Sequence, residues 1–252
     1  MTPATDVVVV SYNSRDTLRA CVEPLAGLDG ISVIVVDNAS PDRSLEAIAD
    51  LPVRAIASED NRGFGAGCNL GLAAGTAPFV LFLNPDAYIS EGALQRLADV
   101  LVSEPEVGIA GPRTIAADGV LVPSMRRYQR AGSVWATALF AHRFIKRAAW
   151  ANEIVKSSDM YEHAADAEWL SGGCLLVRHE GGRSAPRTAL FAVLARSRMR
   201  FARRHAGPVS AVFQRLGLAT GALTHLLANA TRPAHRRGHI AALLAIVGNV
   251  RR

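Results

Sequence analysis

Residues 6–14, DVVVVSYNS, set four consecutive valines against a cluster of polar turn formers. A short β-branched run without polar alternation is the pattern of a strand covered on both faces, and Ser-Tyr-Asn-Ser ends it. Leu18, Cys21, Val22 and Leu25 then recur at helical spacing, so the chain opens β-α. ISVIVVDNAS, residues 31–40, repeats the pattern. Ser40-Pro41 offers an N-cap and first-turn proline for a helix whose apolar face is Leu45, Ile48 and Ala49. VRAIAS (53–58) and PFVLFLNPD (78–86) read as further strands on either side of the glycine-rich NRGFGAGCNLGLAAG (61–75). Leu94, Leu97 and Leu101 predict an amphipathic helix over 91–103, and EWLSGGCLLV (168–177) returns to strand character. This alternation predicts an α/β fold with a mostly parallel sheet and right-handed crossovers. Ligands bind such sheets at the carboxyl ends of the strands, where Asn13, Asp37 and Asp86 fall.

Residues 123–165 are expected to form a partly mobile loop-and-helix segment over the active face. Beyond Pro186 the pattern turns helical, with Leu190, Leu194 and Phe201 opposite Arg196, Arg200, Arg203 and Arg204. A second such stretch carries Val212, Leu216, Ala219, Leu223 and Leu226. The chain therefore divides into an α/β domain, 1–186, and a basic amphipathic helical tail, 187–252.

Half of the 252 residues are hydrophobic and a fifth are charged, enough to bury a sizeable core. No apolar stretch approaches the roughly 20 residues of a membrane-spanning helix, and the N-terminus lacks a signal-peptide pattern. A cytoplasmic location is expected. Cys21, Cys68 and Cys174 sit in apolar surroundings without metal-ligand spacing and read as buried reduced thiols. Residues 1–178 hold 15 Lys+Arg against 21 Asp+Glu, whereas 179–252 hold 13 Arg against the single acid Glu180. A basic tail of this kind meets a polyanion, either nucleic acid or an anionic membrane surface, or is a solvated face. Sparse aromatic residues and the lack of a recognisable module argue against nucleic acid.

Asp37 in VVDNAS either starts a turn through its own side chain or serves a ligand. Asp86 follows the buried run FVLFL, so its carboxylate emerges into the ligand crevice. A hard divalent cation that keeps water and phosphate oxygens needs little more from a protein than one such group. The glycines of 61–75 allow close backbone approach and helix-start N–H groups for phosphate, yet match neither the Walker nor the dinucleotide fingerprint.

In order and spacing, VVVSYNS, VIVVDNAS, NRGFGAGCNLGL, VLFLNPDA and EWLSGGCLLVR resemble the family 2 glycosyltransferases, in particular the rhamnosyltransferase-like branch. The resemblance covers about residues 6–186. It implies a GT-A fold and inverting transfer from a nucleoside-diphosphate sugar, dTDP-rhamnose or a UDP-sugar, to a lipid-linked or polysaccharide acceptor, with Mg²⁺ or Mn²⁺ as cofactor. By that resemblance Ser11, Tyr12 and Asn13 line the nucleotide pocket, Asp37 bonds the base, Arg62 and Gly63 border the site, and Asn69 lies on the following helix. Asn84 and Asp86 occupy the family's Asp-x-Asp position, with Asp86 as metal ligand. Trp169, Ser171, Gly172 and Gly173 match the motif that shapes the sugar and acceptor pocket; for Trp169 a core aromatic is the equal alternative. The Arg-rich tail would dock on the anionic inner face of the cell membrane.

The pattern breaks at Arg178. The family's strand is followed by an acidic pair, another helix and strand, and then an H..G.S element. Here His179-Glu180-Gly181-Gly182-Arg183-Ser184 follows at once, so several tens of residues, including the general base, are missing. Glu180 is a substitute base or an ordinary solvated glutamate; Glu168 and Asp166 are weaker candidates. His179 is a candidate metal-side ligand or a surface histidine. The alternative to an enzyme is a catalytically impaired relative that binds nucleotide sugar or acts in membrane-associated assembly.

Overall fold

The four valines of the opening strand are shared between two cores. In a computed structural model, which describes residues 3–128, 130–141, 144, 150, 152–179, 208–228, 240, 243 and 246, β1 (Thr5–Ser11) is buried along its whole length. It is followed by α1 (Arg15–Val22), β2 (Ile31–Asp37), β3 (Arg54–Ala57), α2 (Phe64–Ala74), β4 (Phe79–Leu83) and α3 (Glu91–Ser103). Pleating sends successive side chains to opposite faces. Val7 and Val9 pack with Leu18, Cys21 and Val22 of α1 and Leu94 and Leu101 of α3. Val8 and Val10 pack with Ile34, Val36 and Val80, under Cys68 and Leu72 of α2. The expected layers are therefore present, with the 91–103 helix where its leucines placed it.

Strands β3-β2-β1-β4 are all parallel, and Ser11 lies opposite Asp37 in register. After β5 (Ile109–Ala110) come a hairpin of β6 (Thr114–Ile115) and β7 (Leu121–Val122), then β8 (Met125–Arg126), α4 (Ala131–Ala138), β9 (Trp169–Leu170), β10 (Cys174–Arg178) and α5 (Pro208–Ala228). β10 inserts between β4 and β5, antiparallel to both, with Cys174 opposite Leu83 and Arg178 opposite Phe79.

Two compact units result: Met1–Ser124 with Leu170–Pro186, and Met125–Trp169 with Arg187–Arg252. The 125–169 segment thus groups with the C-terminal helix, a different division from the one at 186 read from the sequence. Within the second unit, Gly217 of α5 lies where an added Cβ would fall 2.7 Å from Val134 Cγ1 of α4, and Gly221 faces the Ala138 backbone. Thr224 Oγ1 donates to the Ala138 carbonyl at 2.7 Å. Small residues let the helices approach, so α5 buries Gln214, Gly217 and Ala222. Val212, Leu216 and Leu223 of the expected apolar face are about half exposed. Leu190, Leu194 and Phe201 lie outside the described residues. None of the described helices is long and apolar enough to cross a membrane.

The helix expected after Ser40-Pro41 is reduced to a 3-10 turn, Ser44–Ile48. Ser40 is engaged instead by Asp37, and Asp42 Oδ1 accepts from both the backbone N–H and the hydroxyl of Ser44. Short polar side chains here bond neighbouring backbone and compete with a longer helix. In the 123–165 stretch, α4 and a 3-10 turn Ser158–Tyr161 form, and the buried Tyr161 hydroxyl accepts from Met125 N–H and donates to Val155 O.

The glycines of 61–75 set how closely α2 lies on β1. A Cβ at Gly67 would sit 2.6 Å from Val10 Cγ1, and one at Gly71 would collide with Val8 Cγ1. Gly71→Ala should gain about 1 kcal/mol of helix propensity but lose about 1–3 kcal/mol by overpacking against a stiff β-branched neighbour, for a net loss. Gly65, whose Cβ would meet nothing within 4 Å, is the control within the same helix: Gly65→Ala should leave stability equal or slightly higher. Denaturant unfolding of the two variants separates the outcomes, and equal midpoints would contradict the close approach.

Candidate functional site

The carboxyl ends of β1 and β2 are joined through serine hydroxyls. Asp37 Oδ1 accepts from Ser40 Oγ at 2.5 Å and Oδ2 accepts from Ser40 N–H at 2.9 Å, so this carboxylate does form the turn that is its simpler reading. Ser40 Oγ in turn accepts from Asn13 N–H at 3.1 Å, and Asn13 sits in the left-handed region at φ 53°. Asp42, Ser44 and Ser14 N–H repeat the relay one step further on. The Ser44 hydroxyl, then the Arg15 and Ser44 backbone N–H groups, hold the Asp42 carboxyl below its ordinary range. The loop carrying Tyr12, itself half exposed, is thereby fixed against the β2 loop.

Three polar atoms at this edge are buried without a partner among the described residues: Ser11 Oγ, Asn38 Oδ1 and Ser58 Oγ. Ser11 is 0% and Asn38 3% exposed. Leaving such groups unpaired costs about 1–3 kcal/mol each, so each is open to a ligand or a water. Asn38 and Ser58 were not among the sequence candidates. Asn38 is adjacent to Asp37 in the motif, but its burial is a tertiary fact.

On the other side of β1, the turn after β4 is anchored through Asn84. Its N–H donates to Gly173 O at 3.0 Å, and its carbonyl accepts from Ala87 N–H at 3.0 Å and from the Cys21 thiol at 3.4 Å. Burial, then the Asp86 charge and Cys174, pushes the Cys21 thiol up to about 12. Burial likewise raises Cys68 and Cys174 to about 12. All three are free thiols, and burial leaves them little thiolate character with which to act as nucleophiles. Asp86 is exposed, and no hydrogen bond or ion pair among the described residues occupies its carboxylate. No group of three or more His, Cys, Asp or Glu side chains converges among the described residues. A single free carboxylate beside the Asn84 amide still fits a hard cation that takes its other ligands from a diphosphate and water.

The α2 start completes this edge. Gly63 adopts φ 85°, its N–H donates to Asn61 Oδ1 at 2.9 Å, and Phe64 begins the helix. Because Gly67 lies over Val10, Gly71 over Val8 and Gly75 beside Asp6, α2 runs against β1 and its N-terminus points to the carboxyl edge. Arg62 is exposed, with Nε 2.5 Å from Asp60 Oδ1, and Asn69 lies within α2.

Ser171, Gly172 and Gly173 belong to the same unit, whereas Trp169 belongs to the other. There the Trp169 indole N–H donates to Arg127 O at 2.9 Å. Glu168 accepts from Tyr128 N–H, and its other oxygen lies 3.5 Å from Arg130; Asp166 is exposed. His179 is not at the ligand edge. β10 runs antiparallel to β4, so His179 reaches the opposite end of the sheet, where its N–H donates to Pro78 O at 2.9 Å and Nδ1 lies 3.3 Å from Ala77 O. The strand direction removes it from the metal-side role expected of it. Glu180 lies outside the described residues.

With this geometry in view, residues 6–155 match the family model "Glycosyl transferase family 2". An N-acetylglucosaminyl-diphospho-decaprenol L-rhamnosyltransferase of Mycobacterium tuberculosis is 31% identical over 196 residues, 71% of this chain and 62% of that protein. The chain thus spans under two thirds of that relative's length. The succinoglycan biosynthesis protein ExoO of Rhizobium meliloti is 32% identical over 38% of this chain and 29% of its own. The solved structure of S. aureus TarS 1-349 matches with a TM-score of 0.50 at 17% identity, covering all of this chain and 81% of that one. The mixed, mostly parallel sheet flanked by helices is that of a GT-A fold, and a C-terminal helix follows it in sequence. The extent of the family match and the ordered motifs at the strand ends place this chain in glycosyl transferase family 2.

Proposed function

We propose that this chain binds a nucleoside-diphosphate sugar at the carboxyl edge of β1, β2 and β4 and transfers the sugar, with inversion, to a polysaccharide or lipid-linked acceptor. The observation that carries this reading is the asymmetry of the edge: Ser11 and Asn38 hold buried, unpartnered polar atoms on one side of β1, and Asp86 offers an uncommitted carboxylate on the other. Ser11, Tyr12, Asn13 and Asn38 would take the nucleoside, with Arg62, Gly63 and Asn69 bordering it and Asp37 holding the turn that positions Asn13 through Ser40. Asp86 would hold Mg²⁺ or Mn²⁺, which when bound supplies charge neutralisation for the diphosphate leaving group, and Asn84 would bind the nucleotide sugar. Ser171, Gly172 and Gly173 would shape the sugar pocket. The name of the mycobacterial relative supports a rhamnosyl donor, dTDP-rhamnose before a UDP-sugar, and an acceptor linked to a lipid diphosphate. An arginine-rich tail with one acid suits the anionic cytoplasmic surface where such an acceptor resides.

Inverting transfer requires a base to take the acceptor proton as its oxygen attacks the anomeric carbon and the bond to diphosphate breaks. Glu168 is committed to Tyr128 and Arg130. That commitment favours a second reading, in which the chain binds the donor without turning it over.

Titrating dTDP-rhamnose and UDP-sugars with and without Mn²⁺, then following donor turnover, separates the readings: turnover supports the enzyme, binding without turnover the second reading, and no binding at all defeats both. Asp86→Ala should weaken metal-dependent binding about tenfold or more, the scale of a lost charge-assisted contact, while His179→Ala should leave it unchanged. The opposite ranking in calorimetric titration would refute the assignment of the two residues. Asn38→Ala should raise the dissociation constant of the free nucleotide about three- to tenfold, the scale of one hydrogen bond. An unchanged constant would remove Asn38 from the pocket.

A further inference from the structure

Helix α5 has three faces, and two are occupied within its own unit. Gly217, Gly221 and Thr224 lie on α4. Leu218, Ala219 and Ala222 pack with Leu243 and Ile246, and Arg215 turns the same way, its guanidinium donating to Ile246 O at 2.6 Å. Along the third face Val209, Val212, Phe213, Leu216, Leu223 and Leu227 recur at helical spacing, from 48% (Leu223) to 80% (Val209) exposed. The Trp135 ring borders this face at Phe213, with centroids 5.8 Å apart. Thr220 is the one polar residue on the line, and its hydroxyl already donates to Leu216 O at 3.0 Å. The result is an uncharged stripe about 100° wide and roughly 27 Å long, with no polar group that would be stranded by losing water.

A continuous exposed stripe of this kind marks a docking surface, and charge decides what docks. Residues 179–252, which contain α5, carry 13 Arg against Glu180 alone. A second copy seated on the stripe would bring two such segments together, and like charge opposes that pairing. An anionic lipid surface meets both features at once, with headgroups for the arginines and the acyl boundary for the apolar side chains. We propose that the Val209–Leu227 face of α5 is a membrane-docking surface that lies in the plane of an anionic leaflet and inserts its side chains at the headgroup–acyl boundary. The arginines alone would give attraction that salt removes; the stripe adds an apolar anchor that salt does not screen. This assignment does not depend on the nucleotide-sugar reading.

Flotation of the full chain with vesicles tests it, using phosphatidylcholine alone and an equal mixture of phosphatidylcholine and phosphatidylglycerol. The parent should bind the mixed vesicles and keep part of that binding at high salt. Leu216→Ser combined with Leu223→Ser should weaken binding about tenfold or more, the scale of two half-exposed leucines withdrawn from water, and leave a remainder that salt removes. Val102→Ser, which trims a similarly exposed side chain from α3, should change nothing. Burial holds the native thiols up at about 12, so a Val212→Cys variant takes an environment-sensitive dye selectively, and its emission should shift to the blue on mixed vesicles. No binding to mixed vesicles, a double variant that binds as tightly as the parent, or a dye that reports water on vesicle-bound protein would each overturn the assignment. So would a concentration-dependent dimer in sedimentation that the double variant abolishes, which would give the stripe to a second copy. Titration with nucleotide sugars is a separate readout: its failure leaves this surface standing, and failure of flotation leaves the donor site standing.

Discussion

The backbone of α2 rests directly on the side chains of Val8 and Val10, and the position of the candidate site follows from that contact. Glycine at 67 and 71 removes the Cβ atoms that would hold the helix off the sheet. Close approach fixes the height of α2, and its antiparallel course along β1 brings Gly63 and Phe64 to the edge where Ser11, Asp37 and Asn84 emerge. Asp6, 4% exposed, closes the far end of the same contact by accepting Ala77 N–H at 2.7 Å beside Gly75. A valine pair and two missing methyl groups thus determine where a helix N-terminus, with its outward N–H groups, meets the strand ends.

Along that edge, polar groups divide into those spent on structure and those left available. Asp37 and Asp42 each spend a carboxylate on a serine, and each serine passes the constraint to a backbone N–H of the β1 loop. Ser11 Oγ, Asn38 Oδ1 and the Asp86 carboxylate are not spent in this way. Held donors and acceptors around unpaired ones form a preorganised arrangement: the loops are immobilised before any ligand arrives, so less ordering cost remains for binding.

The sequence reading succeeded where one period dominates a segment. The valine and isoleucine runs became β1 and β2, and Leu94, Leu97 and Leu101 became the buried stripe of α3. It failed where tertiary geometry outvotes local pattern. CLLVR reads as a strand in either direction, and only its pairing with β4 shows that it runs antiparallel and carries His179 away from Asp86. In α5 the largest apolar side chains pointed to a buried face, but the neighbour it packs on selects Gly217 and Gly221 because they allow approach. Ser40-Pro41 had the composition of a helix start, yet its hydroxyl was claimed by Asp37 three residues earlier. Asn38 carries no signal of its own in the sequence, and its unpaired oxygen becomes visible only once the sheet surrounds it.

The insertion of β10 between β4 and β5 also governs the order in which this sheet can be assembled. Cys174 pairs with Leu83 across 91 positions of sequence, so the first four strands can associate while one edge of β4 still lacks its neighbour. At about 5–20 residues per second, a ribosome needs roughly 5–20 seconds to make the intervening chain. Through that interval Val80 and Leu81 lie on a parallel sheet with an open border, the kind of edge that invites pairing with another chain. Closure of the sheet at β4 thus waits on a segment made long after the first four strands.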